Sequence, residues 1–261
     1  MSPSAEPMAQ GTGRAAGAAA PAPPVLSANG IHRRFGSLVV LEGIDITLAP
    51  GEALGIVGPN GAGKTTLLDI LSGAQAPSEG RVTFQGQDVT RWQADRRCRA
   101  GIGRSHQVPR PFTGMTAYEN VLVASVQGGG QRRRSAQRHA LGVLERCGML
   151  DRANRPAAAL TLLERKRLEM ARALATDPQV LLLDEIAGGL TDAETDELIA
   201  TIQQLSADGI AIVWIEHVIH ALMRVIDRLV CLAQGRVLAE GEPDDVMSDP
   251  RVVEAYLGSA A

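Results

Sequence analysis

Apolar positions along the chain follow different periods in different regions, and the switches between them predict an element order. Over residues 25–48 short β-type runs dominate. Leu38, Val39, Val40 and Leu41 form an apolar run, while Ile44, Ile46 and Leu48 alternate with polar residues, the period of a strand with one buried face. Pro50-Gly51 is a turn signal. Residues 53–57 are apolar or small throughout, which suits a strand buried on both faces. A glycine-rich loop and a helical segment over 64–71 follow, and 81–90 reads as further strand. From 117 to 175 the period is mostly helical. Gly128-Gly129-Gly130 and the basic run Arg132-Arg133-Arg134 interrupt it; the run reads as a solvated loop or helix start. Strand and helix then alternate: strand 180–183, helix 192–205, strand 210–215, helix 218–225, strand 229–232. This alternation predicts an α/β fold with a mostly parallel sheet covered by helices.

Composition narrows the class. A chain of 261 residues allows one large domain or two small ones. The net charge of -3 argues against a general nucleic-acid binder, so no nucleic-acid partner is expected. Cys98, Cys147 and Cys231 lie far apart and lack metal-type spacing; they read as reduced thiols of a cytosolic protein, buried as small apolar residues. No apolar run approaches the ~18 residues of a membrane span. The amino terminus lacks the basic start and apolar run of a signal peptide. Residues 1–24, rich in Ala, Pro, Gly and Ser, are expected to form a disordered tail. Any link to a membrane then runs through partner proteins.

Two stretches carry chemistry. Gly58-Pro59-Asn60-Gly61-Ala62-Gly63-Lys64-Thr65 fits the phosphate-loop pattern G-x-x-x-x-G-K-[ST] and lies between a predicted strand and a predicted helix, the context it needs. Glycine lets backbone approach a phosphate because no Cβ intervenes, and N–H groups of the loop and helix N-terminus face the anion. Lys64 is expected to reach the β- and γ-phosphates of a nucleotide and Thr65 to bind Mg²⁺, with Thr66 next in the helix. The second stretch is Val180-Leu181-Leu182-Leu183-Asp184-Glu185. An apolar strand ending in two carboxylates delivers them to the carboxyl edge of the sheet, where α/β proteins bind ligands. Asp184 is expected to hold Mg²⁺ and Glu185 to activate water. The bland alternatives are a chance glycine loop and an acidic helix cap.

With further stretches added, the chain resembles the ATPase subunits of ABC transporters. Phe35, in Arg33-Arg34-Phe35-Gly36, lies at the position of that family's adenine-stacking aromatic. Gln107, in Ser105-His106-Gln107, matches the Q-loop glutamine, which contacts the metal. His217, in Trp214-Ile215-Glu216-His217, matches the switch histidine, and Gly189-Leu190-Thr191 occupies the D-loop. Taken singly, Phe35 also fits a core position, His217 a helix cap and Gln107 a loop hydrogen-bonder. The resemblance covers 25–258. It implies a P-loop NTPase core with a mostly parallel sheet, an N-terminal antiparallel β subdomain and a helical signature subdomain over 108–175. It further implies ATP and Mg²⁺ as ligands, and a head-to-tail dimer in which the signature helix of one cassette faces the phosphate loop of the other. Gln107 and the segment 108–119 would sense nucleotide on one side and, on the other, the transmembrane permease subunits at the cytoplasmic face of the cell membrane.

The signature, commonly Leu-Ser-Gly-Gly-Gln, stands here as Leu160-Thr161-Leu162-Leu163-Glu164. Thr161 keeps the hydroxyl expected to meet nucleotide, and Thr161-x-x-Glu164 also reads as a capping box. Leu163 is expected to add bulk, and Glu164 like charge, where a glycine normally lets backbone near phosphate. Slow hydrolysis by the isolated chain and help from a second, distinct ATPase subunit are therefore expected, a homodimer being the alternative. Gly114-Met115-Thr116-Ala117-Tyr118-Glu119-Asn120-Val121, Glu216-His217 and the ending Asp249-Pro250-Arg251-Val252-Val253-Glu254-Ala255-Tyr256-Leu257-Gly258 resemble the branched-chain amino acid importer group. That group works with a separate solute-binding protein. The related lipopolysaccharide-exporter ATPase commonly has Asp before the switch histidine. Two other classes stay open: a soluble ABC ATPase acting on DNA or ribosomes, which usually has two cassettes or a coiled-coil insertion, and a nucleotide-binding module with little hydrolysis.

Overall fold

Residues 23–257 are described by a computed structural model. The tail expected over 1–24 lies, but for its last two residues, outside the described residues, as does Gly258. The chain begins with two strands, β1 (Leu26–Phe35) and β2 (Leu38–Leu48), and then enters β3 (Ala53–Val57) and α1 (Lys64–Ser72). Next come β4 (Glu79–Phe84), β5 (Gln87–Asp88), α2 (Ala94–Ala100) and β6 (Ile102–Arg104). A helical region contains α3 (Ala117–Gln127), α4 (Arg133–Arg146) and α5 (Leu162–Leu174). The chain closes with β7 (Val180–Asp184), α6 (Asp192–Ala207), β8 (Ala211–Ile215), α7 (Ile219–Leu222), β9 (Arg228–Ala233), β10 (Arg236–Gly241), α8 (Pro243–Ser248) and α9 (Pro250–Leu257).

Two sheets result. An antiparallel one has the order β2-β1-β4-β5, and a six-stranded one the order β10-β9-β3-β8-β7-β6, parallel except for the β9–β10 pair. Strand alternation divides the apolar runs between two cores. Leu54, Ile56, Val180, Leu182, Val213 and Ile215 face the antiparallel sheet and α1, whereas Val57, Leu181, Leu183, Ile212 and Trp214 face the core shared with α5 and α6. The near-continuous apolar strands of the sequence thus reflect burial on both faces.

The helix expected over 218–225 is shorter, ending at Leu222. The reason is tertiary: Asp227 exchanges hydrogen bonds with Ala53, accepting from its N–H at 2.8 Å and donating to its carbonyl at 2.8 Å. The chain must be extended by then to enter β9 beside β3. The three-arginine run lies at the start of α4, with Arg132 as N-cap, and α3 stops where Gly128 begins the glycine triplet. Cys147 and Cys231 are buried, and all three cysteines are free thiols.

Candidate nucleotide site

Strand order builds the site. β3, β8, β7 and β6 are parallel neighbours, so the loops leaving their carboxyl ends lie side by side. These loops begin at Gly58, Glu216, Glu185 and Ser105. Four segments far apart in sequence therefore meet at the edge where open α/β sheets bind ligands.

The loop after β3 is held open by glycine. A Cβ on Gly58 would overlap the Leu232 carbonyl oxygen, and one on Gly63 would come within 2.5 Å of Leu41 Cδ2. Gly63 also caps α1 with a left-handed φ of 101°, a conformation that favours glycine. Lys64, only 6% exposed, donates to the carbonyls of Gly58 at 2.6 Å and Pro59 at 3.1 Å. Burial lowers its pKa, while Glu185, Cys231 and Asp184 act to raise it. An open cleft of ≈ 200 Å³ is bordered by Val40, residues 60–66, Glu185 and His217.

Opposite the loop, Glu185 is fixed from both sides. Gln107 Nε2 donates to its Oε2 at 2.5 Å, and His217 Nε2 lies 2.7 Å from its Oε1. Its backbone has a φ of +46°, a left-handed conformation that a non-glycine residue keeps only where its surroundings enforce it. Gln107 and His217 thus converge on one carboxylate. His217 is no helix cap: Val218 is the N-cap of α7. Phe35 is 46% exposed at the end of β1, with the Arg33 guanidinium 4.3 Å from its ring centroid, so the core alternative is set aside.

Asp184 is buried beside Arg104. Its Oδ2 accepts from Arg104 Nη2 at 3.3 Å, and its Oδ1 is buried with no hydrogen-bond partner in the protein. Burial raises its pKa and the Arg104 guanidinium opposes the rise. That bare oxygen, with the hydroxyl of Thr65 and the side-chain carbonyl of Gln107, is a donor set suited to a hard divalent cation, which takes oxygen ligands. The residues therefore fit Mg²⁺.

Several supporting residues were not singled out from the sequence. Arg104 also binds Asp69 at 2.5 Å and Ser72 at 2.9 Å, tying β6 to α1. Glu216, noted only as a family marker, is 1% exposed and accepts from the amides of Ala187, His217 and Val218 at 2.9, 3.1 and 3.4 Å. It joins the loops after β7 and β8. Glu169, on α5, is buried and accepts from the Arg110 amide at 3.3 Å and from Arg172 Nη1 at 2.8 Å, with His106 Nδ1 at 3.1 Å. Arg172 in turn bonds the Arg110 carbonyl at 2.7 Å. The strap carrying Gln107 is thereby clasped to α5. The sequence around Glu169, with Arg165, Lys166 and Arg172 on the same side of the helix, reads as a charged face and gave no signal of this burial.

At the amino end of α5 the capping box is present: the Thr161 hydroxyl accepts from the Glu164 amide at 3.3 Å, and Glu164 Oε2 accepts from the Thr161 amide at 2.9 Å. The expected obstruction takes a different form. Leu163 is 8% exposed and turned inward, while Thr161 and Leu162 are on the surface. Glu164 Oε1 pairs with Arg152 at 2.6 Å and Arg155 at 3.4 Å, so its charge is largely balanced within the chain. Packing, not phosphate geometry, uses Leu163. Replacing Leu163 by Gly together with Glu164 by Gln is accordingly expected to destabilise the fold by about 3 kcal/mol or more, from the lost buried side chain and the helical glycine. Denaturant unfolding measures this; an unchanged midpoint and slope would show that α5 does not depend on these contacts.

Comparison with known families decides the identity. A family model described as ABC transporter matches residues 41–188. The chain belongs to this family. A second model, described as Branched-chain amino acid ATP-binding cassette transporter, matches residues 236–261 of this ABC cassette. LivG of Escherichia coli strain K12, a high-affinity branched-chain amino acid transport ATP-binding protein, is 38% identical over 91% of this chain and 99% of its own length. BraF of Pseudomonas aeruginosa, described likewise, is 34% identical over 91% of this chain and 99% of its own length. Among solved structures, a nucleotide-free ATP-binding cassette from an ABC transporter superposes with a TM-score of 0.82 at 30% identity, covering 89% of this chain and 98% of that one. A cassette in its ADP conformation gives 0.81 at 30% identity, with 90% and 99% covered. The α/β architecture with its antiparallel β layer is thus that of the ABC cassettes.

Proposed function

We propose that this ABC cassette binds and hydrolyses ATP to drive uptake of branched-chain amino acids or a related small solute. The observation that carries the reading is the convergence of Gln107 and His217 on Glu185, across a cleft from Lys64. ATP lies with its adenine on Phe35 and its phosphates in the loop from Gly58 to Thr66, where Lys64 turns from its carbonyls to the β- and γ-phosphates. Asp184, Thr65 and Gln107 would hold Mg²⁺, which would supply charge neutralisation on the phosphates. Glu185 takes a proton from water as its oxygen bonds to the γ-phosphorus and the bond to the β-phosphate oxygen breaks. His217 and Gln107 keep the carboxylate aimed. The branched-chain specificity of the transport system is drawn from the names of the relatives and the carboxy-terminal match.

The cleft is open to solvent, and the family resemblance implies that one cassette supplies half a site. A second ATPase subunit closes it, with Thr161 of one chain facing the nucleotide of the other. Among the described residues no helix is long and apolar enough to cross a membrane, so permease subunits supply the membrane span, and a solute-binding protein delivers the cargo. The cassette would sit at the cytoplasmic face. Residues 108–175 would act as the helical subdomain and 25–258 as the ATPase domain.

The strap after β6 exposes Val108, Phe112 and Met115, at 67%, 47% and 38%, and is the expected permease contact. Phe112→Ser with Met115→Ser should leave ATP affinity intact and lower ATP-driven leucine uptake about tenfold, as for loss of an interface anchor. The assay is transport into vesicles carrying the co-expressed permease subunits and binding protein. Wild-type uptake by the double variant would remove this strap from the coupling path, and absence of leucine uptake by the intact assembly would remove the solute.

A further inference from the structure

The carboxy-terminal helix has no part in the site as described, yet it reaches it. α9 is anchored by Val252, 1% exposed in the central core, with Tyr256 packed against the same core. This seating places the Tyr256 hydroxyl 2.8 Å from the amide nitrogen of Gly58, across 198 positions of sequence. Gly58 opens the phosphate loop and is buried. Its φ of +146° and its close approach to the Leu232 carbonyl leave its peptide little room to turn. A buried amide needs a partner, and Tyr256 provides it. The carbonyl of the same residue accepts from Lys64 Nζ at 2.6 Å. Gly58 is therefore gripped at its N–H by α9 and at its C=O by the phosphate-binding lysine.

We propose that Tyr256 is a positioning residue for the phosphate loop: by accepting the Gly58 N–H it fixes the peptide that enters the loop, while Lys64 holds the carbonyl of the next peptide, so that the two bonds set Gly58 from either side. The inference rests on the reading of the loop as an ATP site. It gives the family-specific segment 236–261 a task in the nucleotide site, in addition to its place beside the sheet. Along its outer side α9 stands off from Pro59 and Asn60 across a groove bordered by Arg251 and Glu254. Hydrogen bonds of this kind matter most through the cost of leaving the buried partner unpaired.

Tyr256→Phe keeps the ring and deletes the bond. The full-length variant should bind Mg-ATP about tenfold more weakly. At saturating ATP its kcat should stay close to that of wild type, the loss appearing in KM. Hydrogen exchange at the Gly58 amide should accelerate, and the thermal midpoint should fall by a few degrees because the buried N–H loses its partner. A purely structural tyrosine would also lower the midpoint, but leave the split between KM and kcat unmoved. Val253→Ser, at an exposed position of α9, should bind ATP as wild type does. Lys64→Ala separates the two levels. If it binds ATP as well as wild type, the loop is not the ATP site. If it loses binding while Tyr256→Phe binds as wild type does, Tyr256 alone loses its role. A Gly58 amide that exchanges rapidly in the nucleotide-free wild-type protein would overturn the proposal whatever the variants do.

Discussion

Lys64→Ala is expected to lose Mg-ATP binding by a factor of about a hundred or more while the fold persists. The ammonium group is nearly buried at the mouth of α1 and already bonds two carbonyls of its own loop. It is thus held at the helix N-terminus, where the macrodipole and free amides favour an anion. The ammonium already makes charge-assisted bonds to neutral acceptors, so what phosphate adds is ion pairing; truncating one partner of a buried charge pair costs about 2–5 kcal/mol, and about 2.8 kcal/mol is a factor of a hundred. The variant also frees the carbonyls of Gly58 and Pro59, a local cost that leaves the two cores intact. Calorimetric titration with Mg-ATP reads the affinity, and circular dichroism the fold. Undiminished affinity in folded Lys64→Ala would mean that the nucleotide is held elsewhere.

Glu185→Gln separates binding from chemistry. The amide keeps the size and one acceptor oxygen of the carboxylate, so contact with Gln107 or His217 can persist, but it no longer takes a proton. General-base catalysis typically contributes about 10²–10⁴-fold, and turnover should fall within that range. Affinity for ATP should hold, because the phosphates are bound by the loop across the cleft. With ATP retained and not cleaved, the two-cassette complex should accumulate, visible by size-exclusion chromatography in Mg-ATP. Turnover close to wild type, measured with the permease and binding-protein partners present, would move the proton acceptor to another residue.

The same two elements show how much was legible before the fold was known. The phosphate loop and Asp184-Glu185 are contiguous, and their chemistry depends on local spacing next to a strand, so their residues could be named one by one. Gln107, His217 and Phe35 were reachable only through family resemblance. A lone glutamine, histidine or phenylalanine has many unremarkable roles, and it is the meeting at Glu185 that distinguishes the first two. Leu163 and Glu164 were legible as departures from a pattern, but not in their consequence. The capping box followed from spacing, whereas the inward turn of Leu163 and the pairing of Glu164 with Arg152 depend on what packs beside α5.

The α/β class, the strands buried on both faces, the phosphate loop and the two carboxylates follow from local pattern, because hydrophobic period and fixed spacing act over a few residues. The tertiary structure alone decided the strand order β3-β8-β7-β6, and with it which loops share the site. It also decided the Arg104–Asp184 pair, 80 positions apart, the clasp of Glu169 on the Gln107 strap, and the bond from Gly58 to Tyr256, 198 positions away. These contacts have no local signature, since each partner's own neighbourhood is compatible with many others. Their positions follow from which crossovers bury the apolar faces of the sheet together, a property of the whole chain.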